Sequence, residues 1–279
     1  SEVVSTTLLQ VFEPGVRPFV PFDTNLIGAF GSVQAAFGNN SSQTLDNNLY
    51  YIEYQESALV PNNTDEWVFE TFVHFGSFGG GGNNSNEIIT VGPSTASSNS
   101  HTIKLQQLRH NSQDVLLLTY YDSNDAGGVT YGTTDLDLGE NHISVAYKPG
   151  TGIKIWLNGA LEINESFTGD LRSITDPSVW FGFGGLETGN NSHFFYLDET
   201  RILQSSTAIT DAGLTFANSS QTVPTQAYTN NPSTQLLLHY EGNYLDDDSG
   251  VKEYVATINS VASLTSDAAR IVAASSNIN

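Results

Sequence analysis

The chain has 279 residues, and its nine basic side chains against thirty acidic ones give a formal net charge of −21. That balance excludes the basic patch that nucleic acid or an anionic membrane surface requires of a partner. Cysteine is absent, which excludes disulfides and thiolate metal sites, and no apolar run reaches the roughly 18 residues of a membrane span.

Short alternating runs set between clusters of Gly, Asn, Ser and Thr predict an all-β chain. In WVFETFVHF, Trp67, Phe69, Thr71, Val73 and Phe75 share one face, with Glu70 and His74 on the other. Residues Gly76 to Glu87 contain four consecutive glycines and predict a mobile surface loop. DVLLLTYYD, from Asp114 to Asp122, suits a strand buried on both faces. His142 to Tyr147 alternates, with Ile143, Val145 and Tyr147 inward. Ile153 to Ile163 reads as a hairpin whose Asn158-Gly159 turn supplies positive φ angles, and Ile153, Ile155 and Leu157 face the core. Two further strands fall in VWFGFGG, from Val179, and in His193 to Leu203. Residues 205–234, rich in Ser, Thr, Asn and Pro, read as a linker, and SDAARIVAA, capped by Ser266, is the one predicted helix.

Six of these pieces resemble, in order, the laminin-G/concanavalin A-like jelly rolls, especially the tandem copies of marine-phage and bacterial surface structural proteins. They are FGSVQAAFG (Phe30 to Gly38), VFETFVHF (Val68 to Phe75), NHISVAY (Asn141 to Tyr147), IKIWLNG (Ile153 to Gly159), YLDETRIL (Tyr196 to Leu203) and LLLHYEG (Leu236 to Gly242). The resemblance covers roughly residues 26–250 and implies a two-sheet antiparallel jelly-roll sandwich. It divides the chain into an N-terminal extension (1–25), the sandwich (26–204), the linker (205–234) and a C-terminal strand and tail (235–279).

The departure lies at the ends. Only a degenerate LLQVFEPG (Leu8 to Gly15) stands where the first strand belongs, while a well-formed one, with Leu236, Leu237, Leu238 and Tyr240, stands near the C-terminus. An orphaned edge is costly, so three arrangements are open: return to the same sandwich, exchange into a neighbouring subunit, or membership of a longer tandem array.

No catalytic constellation emerges. Retaining glycosidases need two carboxyl groups roughly 5–5.5 Å apart, whereas the adjacent Asp198 and Glu199 point to opposite faces of a strand and read as a hydrogen-bonding anchor. His239 reads as a satisfied, half-buried histidine. Calcium is the expected cofactor, because oxygen donors cluster at Asp122, Asn124 and Asp125 and again at Asp246, Asp247 and Asp248; solvated acidic turns are the alternative. Trp156 and Trp180 are candidates for stacking on a glycan, or for covering the sheet's outer face or a subunit interface. The resemblance implies a non-enzymatic subunit of an extracellular or virion-surface assembly, associating with itself or with other structural subunits; a calcium-dependent glycan-binding lectin is the second reading and a glycoside hydrolase or lyase the third.

Overall fold

The computed structural model describes residues 30–31, 41–44, 51–54, 56–75, 85–93, 101–181, 195–239 and 256–259. Two antiparallel sheets face each other, which makes the chain an all-β jelly-roll sandwich, the all-β class being what its alternation predicts and the jelly roll what the family resemblance implies. The first sheet runs in the order β1 (Phe30–Gly31), β2 (Ser41–Thr44), β13 (Phe195–Ser205), β4 (Glu66–Phe75), β9 (Gly139–Lys148), β10 (Gly152–Leu157) and β11 (Ala160–Ser166), with β14 (Thr234–Leu238) also paired to β13. The second runs β15 (Ala256–Asn259), β3 (Tyr51–Tyr54), β12 (Pro177–Phe181), β5 (Ser85–Pro93), β6 (Ile103–His110), β7 (Gln113–Tyr121) and β8 (Gly127–Tyr131). The predicted helix at Ser266, the stretch Leu8 to Gly15, Tyr240 and the triplet Asp246, Asp247 and Asp248 lie outside the described residues.

The period-2 pattern fills the space between the sheets. Trp67, Phe69, Val73 and Phe75 of β4, Ile143, Val145 and Tyr147 of β9, and Ile153, Ile155 and Leu157 of β10 all enter one core with Val179 and Phe181 of β12. Phe69 stacks on Trp67 at 6.5 Å and on Phe181 at 5.9 Å, joining one sheet to the other. Each large side chain so buried stabilises the fold by about 1.5–3 kcal/mol. The one polar atom of Trp67 is satisfied, since its Nε1–H donates to the Leu59 carbonyl at 2.8 Å. Asn158 (φ 50°) and Gly159 (φ 80°) form the tight turn expected between β10 and β11.

Two expectations change, and one of the three arrangements open for the C-terminal strand is the one found. Ser85 to Glu87 belong to β5 rather than to the glycine loop, and Glu87 is buried, accepting from Thr90 Oγ1 at 2.8 Å. Residues 205–234 lie folded across the outer face of the first sheet, beginning with the short helix α1 (Ala208–Asp211), and we call them the strap. The displaced strand β14 pairs within its own sandwich, with Leu238 opposite Thr200, Leu237 opposite Arg201 and Leu236 opposite Ile202. Leu236 and Leu238 enter the core, while Leu237 points outward against Phe72 and Tyr228. β2 covers the first part of the same β13 edge, at Phe195 to Leu197, so the two short strands share it.

Candidate functional site

The outer face of the first sheet carries the chemistry, because the side chains that point away from the core there are not uniformly polar. Val68, Ala146, Trp156 and Leu203 form an apolar patch that Ala208, Ile209 and Leu214 of the strap cover. Trp156 does point outward, as its alternation predicts, but the strap buries it completely and its Nε1–H reaches the Asn218 carbonyl at 3.4 Å. Trp180 is 2% exposed on the outer side of the second sheet. The expectation that these two rings offer solvent-facing sugar platforms is therefore corrected: both are covered.

Beside the apolar patch lies a buried polar cluster that seats the strap. The Arg201 guanidinium donates from Nε to Glu70 at 2.8 Å and also from Nη2. Ser144 Oγ donates to the other Glu70 oxygen at 2.8 Å, and His142 Nε2 shares a hydrogen bond of 2.8 Å with the Tyr228 hydroxyl. The Arg201 guanidinium also lies 4.0 Å from the Tyr228 ring centroid. Burial holds the His142 imidazolium pKa below its usual value, opposed by Glu70 and reinforced by Arg201. Burial, with Glu70 and then Glu199 adding to it against Arg201, pushes the Tyr228 phenol well above its ordinary range. Both groups are therefore neutral near pH 7. His142 Nδ1 is buried with no hydrogen-bonding partner among the described residues.

Glu199 is the anchor that its position suggests. It sits at φ 49° beside a bulge in β13, accepts the Tyr228 backbone N–H at 2.8 Å and pairs with His239 Nδ1 at 2.8 Å. The side chain of His239 is 21% exposed, a satisfied half-buried histidine. The whole cluster is sealed beneath the strap, so its chemistry is that of a clasp.

Where the strap ends over β10 and β11, an open cavity of about 460 Å³ remains, lined by Lys148, Thr151, Lys154, Asn164, Ser166, Phe216 and Ala217. Its floor follows from register: Lys148, Gly152 and Ser166 form one row across β9, β10 and β11, and Ala146, Lys154 and Asn164 form the next. Gly152 at φ +139° is required there, because a Cβ on it would stand 1.9 Å from the Glu165 carbonyl oxygen. Phe216 forms the roof, with Lys154 Nζ 5.2 Å from its ring centroid. The strap is held at this point by Leu161 N–H donating to Ser219 at 2.8 Å and Gln221 N–H donating to Gly159 at 2.7 Å. Lys148 is paired with Glu66 at 2.8 Å. Sequence reasoning passed over this cavity; the available signal was that Lys148 and Lys154, two of four lysines in an acidic chain, flank one Pro-Gly-Thr-Gly turn.

In the first acidic cluster both carboxylates have protein partners. Asp122 Oδ1 accepts the backbone N–H groups of Asn124 at 2.8 Å and Ala126 at 2.9 Å, which hold its carboxyl pKa below the usual value, Ala126 having the larger effect. Asp125 turns away to Arg172, whose Nε donates to it at 2.7 Å. Among the described residues no group of three or more His, Cys, Asp or Glu side chains is placed to hold a metal ion.

No protein-family model and no curated protein matches the chain. Solved structures with a similar sandwich include an alginate lyase from Alteromonas sp. 272, with a TM-score of 0.42 and 10% identity over 67% of this chain and 99% of that one. The alginate lyase AlyC3, solved with dimannuronate, has a TM-score of 0.42 and 7% identity over 59% of this chain and 74% of that one. The binding domain of botulinum neurotoxin serotype G has a TM-score of 0.44 and 12% identity over 64% of this chain and 47% of that one. At these identities the likeness concerns the fold. The expectation of a structural subunit of a virion or surface assembly, with C-terminal strand exchange as one possible joint, is corrected: none of these similar folds is described as such a subunit, and β14 pairs with β13 of its own chain. Nothing among these proteins supports a phage, virion or fibre role.

Proposed function

We propose that the chain is a glycan-binding β-sandwich of the laminin-G/concanavalin A-like kind, and that the glycan docks in the cavity between β10, β11 and Phe216. The observation that carries this reading is the combination of groups lining that cavity. An aromatic ring offers an apolar face to the C–H side of a sugar, while Thr151, Asn164 and Ser166 offer hydroxyl and amide groups to its oxygens. The volume falls within the roughly 300–1,000 Å³ of small-ligand pockets, and most of its floor is sheet rather than loop. The lining contains neither a carboxylate nor a histidine, so the groups present bind and orient a saccharide without an acid–base pair to cleave it.

A glycan array followed by isothermal titration with the best oligosaccharide tests the reading. Binding that weakens about tenfold in each of Phe216→Ala and Asn164→Ala, as expected for one lost contact, with both variants still folded at the assay temperature, supports it. An array with no glycan bound, or binding indifferent to both substitutions, overturns it.

A further inference from the structure

We infer that the ligand of this cavity is an acidic glycan, and that Lys154 is the residue that selects its carboxylate; the inference rests on the glycan-binding reading above. It begins with an imbalance. Acidic residues outnumber basic ones thirty to nine, so a basic side chain here should find a carboxylate. Among the described residues all others do: Lys104 with Glu87, Arg109 with Asp114, Lys148 with Glu66, Arg172 with Asp125 and Arg201 with Glu70. Lys154 alone has no ion pair, and its ammonium group lies over the Phe216 ring at the cavity.

The placement suits one planar carboxylate. Lys154 and Asn164 are directly opposed on β10 and β11, so their Cβ atoms stand about 5 Å apart. One carboxylate oxygen can accept from the ammonium while the other accepts from the amide, and the sugar ring lies against Phe216. Charge-assisted bonds of this kind are about twice as strong as neutral ones. The net charge of −21 opposes a polyanion at long range. At about 0.15 M ionic strength, however, screening over ~8 Å confines that repulsion, while a contact pair in the cavity is screened less.

The test compares a tetra-uronate with the same tetrasaccharide after carboxyl reduction, titrated into the wild-type chain, Lys154→Gln and Lys148→Gln at 0.15 M salt. The expected result is that the acidic form binds the wild type at least tenfold more tightly than the reduced form. Lys154→Gln should lose this preference and bind the two forms alike, and Lys148→Gln, whose wild-type lysine is already paired, should keep it. If both forms bind the wild type alike, the acidic-glycan inference fails while glycan binding stands. If the preference survives Lys154→Gln, the assignment of Lys154 fails. If neither form binds and a glycan array is also empty, both readings fall together.

Discussion

Glu70 is 1% exposed, yet it sits on the outer face of the first sheet rather than in the core. Its carboxylate is tolerable there because Arg201 and Ser144 together satisfy it, and removing one partner leaves the other buried and uncompensated. Glu70→Ala is expected to cost about 3–5 kcal/mol in denaturant unfolding, mostly from the stranded Arg201. The neutral His142 and Tyr228 beside it set the pH limits of the same clasp. His142 has a lowered pKa in the folded chain, so as pH falls through about 6.5 the unfolded chain takes up a proton that the folded one resists, and stability declines. Tyr228 has a raised pKa, so above about pH 10 the unfolded chain loses a proton that the folded one retains, and stability declines again. Melting temperature against pH should show both flanks, with the alkaline one reduced in Tyr228→Phe. At the cavity floor, Gly152→Ala should cost on the order of 3 kcal/mol through strain and overlap with Glu165. Gly150→Ala, at φ +66° in open space, should cost only about 1 kcal/mol and serves as the control.

At the scale of elements, β14 decides how the sandwich is closed. Because Leu236 and Leu238 enter the core of the same chain, the unfolding midpoint should not vary with protein concentration. Leu236→Ala should lower stability by about 2–5 kcal/mol; a midpoint that rises with concentration would indicate strand exchange instead. The strand itself was legible because its apolar run is unbroken, and the β10–β11 hairpin was legible because Asn158-Gly159 permits little else. The direction in which Trp156 points was legible too. The strap was not, since Ala208, Ile209, Leu214 and Tyr228 occur singly among polar residues and carry no period. The nearest hint lay in the sheet, where Val68, Ala146 and Trp156 make an outward face too apolar to stand in water. At Asp122, Asn124 and Asp125 composition identifies oxygen donors, but only the fold brings Arg172 to Asp125.

For the whole molecule, the sandwich supplies a rigid platform and the strap supplies the relief. The strap covers the apolar and charged parts of one sheet face and leaves one end of β10 and β11 open, a cavity whose Lys154 has no ion pair among the described residues of an acidic chain. Such a particle meets polyanions slowly at low salt, so association with an acidic glycan should quicken as salt rises towards physiological levels and the distant carboxylates are screened. Stopped-flow rates at two ionic strengths check this. The central claim is tested most directly by a crystal structure of the chain soaked with a tetra-uronate. The account predicts a sugar ring against Phe216 with its carboxylate between Lys154 and Asn164. Saccharide density elsewhere on the sandwich, with this cavity empty, would contradict it.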